Sequence, residues 1–208
     1  MNETEWLELN ECGGMLYVVM RKSDFSIRKL LLLSLACAIA ERYRPVDPRS
    51  LRAMEVLDRF LHQLATSEEL EKAMRSAWEA EYDNEGVGFG IACAASAAYA
   101  AENLSERATG AMSHCEASVA GDLLRDIFGN PFRPVTLDPR WLTSTVLDLA
   151  RTIYDEFPQQ AGGYVKMPIL ADALMDAGCD SEEIIKHCQG PGPHVRGCWV
   201  VDLLLGKQ

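Results

Sequence analysis

The stretch from Met167 to Lys207, MPILADALMDAGCDSEEIIKHCQGPGPHVRGCWVVDLLLGK, is the most constraining part of the chain. Ile169, Leu170, Ala173, Leu174 and Ala177 recur with the spacing of one helical face, and Asp172 and Asp176 fall opposite. Pro168 suits a first helical turn. Gly178 follows the last periodic residue, where a left-handed cap is expected. Asp180 or Ser181 can start a second helix, with Asp180 and Glu183 at capping-box spacing. Its buried side is expected to be Ile184, Ile185 and Cys188, and Lys186 and His187 fall in its last turn, where positive charge suits the helix dipole. Gly190-Pro191-Gly192-Pro193 is a rigid break. A last helix is expected to begin near His194 and to carry Val195, Cys198, Trp199, Val201 and Leu203 to Leu205. It is too apolar to lie on the surface.

The same reading extends over the chain. Thr4 or Asn2 caps a short helix at Trp6-Leu7, and Gly13-Gly14 is expected to break it before a short apolar segment, Met15 to Met20, which fits a helix or a strand, with the helix favoured. Ser26 to Tyr43 reads as a buried helix, closed by Pro45 and Pro48. Asp47-Pro48 is an N-cap followed by a first-turn proline. The next helix runs to about Leu64, with Leu51, Met54, Leu57, Phe60, Leu61 and Leu64 as its stripe. Thr66 or Ser67 caps another to Tyr82, with Leu70, Met74, Ala77, Trp78 and Glu81 inward. Ile91 to Ala101 is an alanine-rich helix former. Thr109 to Phe128 is a helix, Pro131, Pro134 and Pro139 mark an extended linker, and Thr143 or Ser144 caps a helix to Glu156. Residues 157–167 form a loop. The sum is an all-α multi-helix bundle of roughly eight helices. We read 1–208 as a single helical domain with a seam near 130–139.

The chain of 208 residues is long enough to bury a stable core, and its formal net charge of −11 argues against binding nucleic acid through a basic surface. Its apolar runs, Leu30–Ala40 and Val87–Ala101, are shorter than a membrane span. The opening MNETEW is acidic and unlike a secretory leader. With seven cysteines and no CxxC pair, reduced thiols in a cytoplasmic protein are expected.

The segments LLRDIFGNPFRPVTLDPRWLTSTVLDLARTIYDE, PILADALMDAGCDSEEIIKHC and HVRGCWVVDLLLGK resemble a family of uncharacterised proteins of planctomycete bacteria. The resemblance spans about Leu123 to Lys207, with a looser match at Trp6-Leu7 and around Cys37. It implies no activity. The loop 157–166 is longer and richer in glycine than the family's pattern.

Candidate chemistry concentrates near the C-terminus. Cys179, His187, Cys188, His194 and Cys198 are of the types that bind zinc. Their spacings match no finger or ribbon. His194 and Cys198, four apart, would share a face if helical. Cys188 aligns with Ile184 as a core residue, and His187 points away from it. Asp172 and Asp176 could hold Mg²⁺ or serve as acid and base, although a solvated face is the commoner use of such a pair. His114-Cys115-Glu116 are neighbours that a helix would point apart. GxSxG, HExxH and P-loop motifs are absent, and Gly86-Val87-Gly88-Phe89-Gly90 follows no strand. His62 reads as a surface histidine. Phe132, Trp141, Tyr164 and Trp199, with Arg133, Arg140 and Arg196, are the residue types of partner anchors. The leading expectation is therefore a non-enzymatic, cytoplasmic protein-interaction module without a cofactor. A protein partner or a homo-oligomer would contact it, and neither nucleic acid nor membrane would. The alternative is a zinc protein or metal-dependent enzyme built on the C-terminal Cys/His/Asp group.

Overall fold

The computed structural model describes residues 1–10, 12–21, 26–40, 47–83, 115–156 and 166–207. The expected alanine-rich helix at Ile91–Ala101, the GVGFG run, His114 and Tyr164 lie outside these residues. Among the described residues there are ten α-helices, one 3₁₀ turn and no strand, so the chain is all-α. The helices are α1 (Glu3–Glu8), α2 (Cys12–Met20), α3 (Ile27–Ala40), α4 (Pro48–Leu61), α5 (Ser67–Asp83), α6 (Ala117–Phe128), α7 (Ser144–Glu156), α8 (Met167–Asp176), α9 (Glu182–Gln189) and α10 (Trp199–Leu205). The 3₁₀ turn is Pro139–Trp141. No helix among the described residues is long and apolar enough to cross a membrane.

Local signals set most boundaries. Asn2 and Glu5 form a reciprocal capping box at α1. Asp47 accepts from the Arg49 amide ahead of Pro48. Thr66 and Glu69 exchange side-chain and backbone bonds at the start of α5. Gly178 adopts φ +80° after α8, and Ser181 accepts from the Ile184 amide to open α9. Three expectations are corrected. Gly13-Gly14 does not break the chain but lies inside α2, whose Met15, Leu16 and Val19 are buried. Apolar packing there outweighs glycine's weak helix propensity. On α4 the buried face is Ser50, Ala53, Val56 and Leu57, while Leu51 and Leu64 are exposed. The smaller side chains let α4 lie close against α5, where Ala53 meets Ala77. The last helix begins at Trp199 rather than near His194, because Gly192, His194 and Gly197 all take positive φ.

Two main cores result. The first gathers Trp6 of α1, Met15 and Leu16 of α2, Leu30, Leu32 and Leu33 of α3 and Leu123, Leu124 and Ile127 of α6. The α4–α5 hairpin covers the other side of α3 through Val56, Leu57, Leu70 and Met74. The second core gathers Ile153, Met167, Leu170, Leu174, Ile184, Cys188, Val201 and Leu204 from α7 to α10. The segment between α9 and α10 touches both cores: Val195 packs on the first, and Cys198 belongs to the second.

That segment is tightly seated. A Cβ built at Gly197 would lie 2.8 Å from Leu32 Cδ1, and the residue sits at φ +96°. Gly197→Ala should therefore destabilise the protein by about 2 kcal/mol through strain and overpacking together. A lower midpoint with an unchanged slope in urea unfolding would confirm this.

Candidate metal centre

The amphipathic pattern of α6 turns Ala120, Leu123, Leu124 and Ile127 inward, and it turns Asp126 inward with them at 2% exposure. A buried carboxylate is costly unless it is paired and hydrogen-bonded. Its partners all come from the C-terminal half. The Val195 amide donates to Oδ2 at 2.8 Å. His187 Nε2 lies 3.1 Å from Oδ1, and His194 Nδ1 lies 3.3 Å from the same atom. The last turn of α9 supplies His187. The Gly-Pro run then reverses the chain and delivers His194 at φ +34°, an uncommon conformation for a residue with a Cβ. Cys198, the N-cap residue of α10, places Sγ 3.1 Å from His187 Nε2.

One ligand atom from each of Asp126, His187, His194 and Cys198 lies within 4.8 Å of every other. Tetrahedral zinc bonds of about 2.0–2.3 Å imply ligand separations of roughly 3.3–3.8 Å. The three short separations, 3.1, 3.1 and 3.3 Å, lie at or just below that range, and the others reach at most 4.8 Å. Hydrogen bonding outside the cluster also favours a cation at its centre. The carbonyl of Gly190 lies 3.3 Å from His194 Nε2 and can only accept, so Nε2 carries the proton of that bond. Nδ1 of the same ring then faces the Asp126 carboxylate. Nδ1 donates to that carboxylate in the metal-free protein, and a metal ion would take the place of that proton. An imidazole whose other nitrogen donates to a carbonyl is the usual outer-shell arrangement of a metal-bound histidine. The ring of His187 stands edge-on to His194 at 4.9 Å and tilted against Trp199 at 5.3 Å, which fixes its orientation. A cleft of about 240 Å³ opens beside Asp126, His187, His194 and the Gly190–Pro193 backbone.

The titratable groups respond to this setting. Burial works to raise the Asp126 carboxyl, but its bonds with His187 and His194, the charge of His187 and the Val195 amide outweigh it. The carboxyl is held below the usual range. Burial pushes the Cys198 thiol well up, and the charge of Asp126 adds to that rise. A thiol so placed is a poor free nucleophile. It becomes a thiolate only when a cation compensates.

Of the five residues expected to group as zinc ligands, His187, His194 and Cys198 come together. His187 lies off the core face that Cys188 occupies and points at Cys198, and His194 and Cys198 meet through a turn instead of along a helix. Cys179 and Cys188 are buried in the second core. Burial raises both thiols, Cys188 to about 12. Asp126 went unnoticed in the sequence. Its signal is a carboxylate on an apolar stripe, three residues after Leu123 and next to Ile127. Asp172 and Asp176 are exposed on α8. Cys115 is buried in the first core. Trp141 is buried and Phe132 exposed, while Arg133 pairs with Glu3 and Glu183 and Arg140 with Asp138. Cys179, Cys188 and Cys198 form no disulfide.

No protein-family model matches this chain, and neither do any curated protein or solved structure.

The lowered carboxyl has a consequence in acid. A group whose folded pKa is depressed contributes stability that is present above its unfolded value, near 3.9, and lost as pH falls through the folded value. Metal-free wild type should lose stability as pH falls below about 4.5. Asp126→Asn should start less stable by about 2–4 kcal/mol at neutral pH, and its loss in acid should be shallower. Urea unfolding across this pH range measures both.

Proposed function

We propose that this protein binds one zinc ion through Asp126, His187, His194 and Cys198, and that the ion clasps the two cores together. The observation that carries the reading is the convergence of four ligand atoms within 4.8 Å, at a point where the Gly190 carbonyl holds His194 with Nδ1 toward a buried carboxylate. Zinc fits the donor set best: one thiolate with two imidazoles favours it over magnesium or calcium, which prefer oxygen. Four protein ligands form a closed set, the pattern of a structural site rather than a catalytic one.

The chain's own residues account for how such a site would work. Asp126 anchors the ion to α6 in the first core. His187, His194 and Cys198 anchor it to α9, the connecting segment and α10. The Val195 amide and the Gly190 carbonyl hold one carboxylate oxygen and one imidazole in orientation. Binding would require Cys198 to give up its proton, and the bound cation would offset the burial that keeps the thiol protonated.

Native mass spectrometry of the purified protein should find one zinc per chain, and chelation should lower its melting temperature. Metal uptake in weak buffer should release at least one proton, that of the Cys198 thiol. Asp126→Asn and Cys198→Ser should weaken zinc binding by about 100-fold or more, a larger effect than losing an outer-shell partner. Cys179→Ala and Cys188→Ala should cost stability through cavities of about a side chain's volume yet leave zinc affinity within about threefold. Absence of zinc, together with a melt indifferent to chelation, would overturn the reading.

A further inference from the structure

Three of the four converging residues, Asp126, His187 and His194, line one cleft together with the Gly190–Pro193 backbone. Cys198, the fourth, is fully buried and does not line it. An ion arriving through the cleft meets the carboxylate and the imidazoles before it meets the thiol. The cleft holds about 240 Å³, against a share of about 30 Å³ for one water, so a partly hydrated cation fits.

The lining favours a cation over an anion. Pro191 and Pro193 carry no N–H, and the Gly190 amide is spent on the His187 carbonyl. The last turn of α9 ends here, with the negative end of its dipole. Two cationic side chains share the lining, Arg125 and Lys186, and both are committed elsewhere. Arg125 donates through Nε to the Trp6 carbonyl at 3.0 Å, through Nη2 to the Leu9 carbonyl at 2.6 Å and through Nη1 to Asn10 Oδ1 at 3.2 Å. Lys186 is exposed and pairs with Glu182 of its own helix at 2.7 Å.

Asp122 also lines the cleft. It lies one helical turn before Asp126 on α6, a spacing that sets two side chains on one face with Cβ atoms roughly 5–6 Å apart. The two carboxylates differ in setting: Asp126 is 2% exposed, whereas the Asp122 side chain is 60% exposed. Asp122 gives Oδ1 to Arg125 Nη1 at 3.1 Å, a single contact that Nη1 shares with Asn10. A carboxylate in reach of solvent thus stands one turn from a buried one along the same cleft.

We infer that Asp122 captures the incoming zinc ion at the mouth of the cleft and passes it to Asp126, and that the ion leaves by the same route; this rests on the zinc reading above. Asp122 holds the ion only in transit, because four other side chains already close the resident site. A transit group lowers the barrier equally in both directions. It speeds uptake and release by one factor and leaves affinity unchanged, which a resident ligand does not do.

The test measures the rate of zinc uptake by rapid mixing and the Kd by equilibrium competition with a chelator of known affinity. Both use the full chain in dilute buffer, where surface charge is least screened. Asp122→Asn removes the charge at nearly constant shape. Its uptake should be about tenfold slower than that of wild type, within the span of electrostatic steering, while Kd stays within about threefold. Release must then slow by the same factor as uptake. Asp122→Glu keeps a carboxylate and should restore uptake to within about threefold of wild type. Asp155→Asn, at an exposed carboxylate of α7 outside the cleft lining, makes the same change in net charge and should leave both quantities as in wild type. Unchanged uptake in Asp122→Asn, equal slowing in Asp155→Asn, or no recovery in Asp122→Glu overturns the inference and leaves the zinc reading intact. So does a Kd weakened beyond about threefold in Asp122→Asn, which makes the residue a holder of the bound ion rather than its carrier. Failure of wild type to bind zinc at equilibrium overturns the zinc reading and this route with it.

Discussion

The structure depends on one buried carboxylate. Asp126 sits among leucines on the inward side of α6, and nothing on its own helix satisfies it. Its hydrogen-bonding partners, Val195, His187 and His194, lie more than sixty residues further along the chain. Removing those partners would leave a desolvated charge in an apolar environment, which costs several kcal/mol. The C-terminal segment must therefore arrive at α6, and it must arrive in one register. Apolar burial alone imposes no such demand, because an apolar face tolerates sliding. The electrostatic demand of this carboxylate, together with that of the buried Asp202 of α10 on Arg28 of α3, selects the docking of one core against the other.

Backbone conformation follows from the same demand. Between α9 and α10 the chain turns sharply, with positive φ at Gly192, His194 and Gly197. Glycine reaches that region freely, but His194 does so at a cost of order 1 kcal/mol. The strain is offset because the turn aims the imidazole at Asp126 while its other nitrogen meets the Gly190 carbonyl. Gly197 is needed for a different reason. Its α-carbon lies so close to Leu32 that a side chain would collide with α3. One turn thus satisfies a polar constraint on one side and a packing constraint on the other.

These features differ in how far the sequence reveals them. Helix boundaries were legible wherever a side chain caps its own helix, as at Asp47, Thr66, Gly178 and Ser181, because capping is local chemistry. The buried face of α4 was misread, since Leu51 and Leu64 look more apolar than Ala53 and Val56. Close packing against α5 favoured the smaller pair. His187, His194 and Cys198 were legible as metal-binding types, but their convergence was not, because it depends on a turn with positive φ at a histidine. Asp126 was hidden for a further reason. A single carboxylate on a helix is usually solvated, and only its place on the stripe of Leu123 and Ile127 marks it as buried. Its partners are long-range, and no local pattern encodes them.

The three cysteines of the C-terminal region show how far neighbours decide chemistry. Cys179, Cys188 and Cys198 are all buried, and burial raises the thiol pKa of each. Cys179 and Cys188 face apolar side chains of the second core, where a neutral thiol acts as a small hydrophobe. Cys198 faces an imidazole nitrogen and stands near a carboxylate. There the neutral thiol is a weak hydrogen-bonding partner for groups that call for positive charge. Asp126 raises the cost of ionising Cys198, yet that same carboxylate attracts the cation that would make ionisation favourable. The carboxylate and the thiol therefore destabilise each other as a bare pair and become mutually stabilising around a metal. This reversal of sign separates Cys198 from the two core cysteines, which among the described residues do not group with the carboxylate and imidazoles.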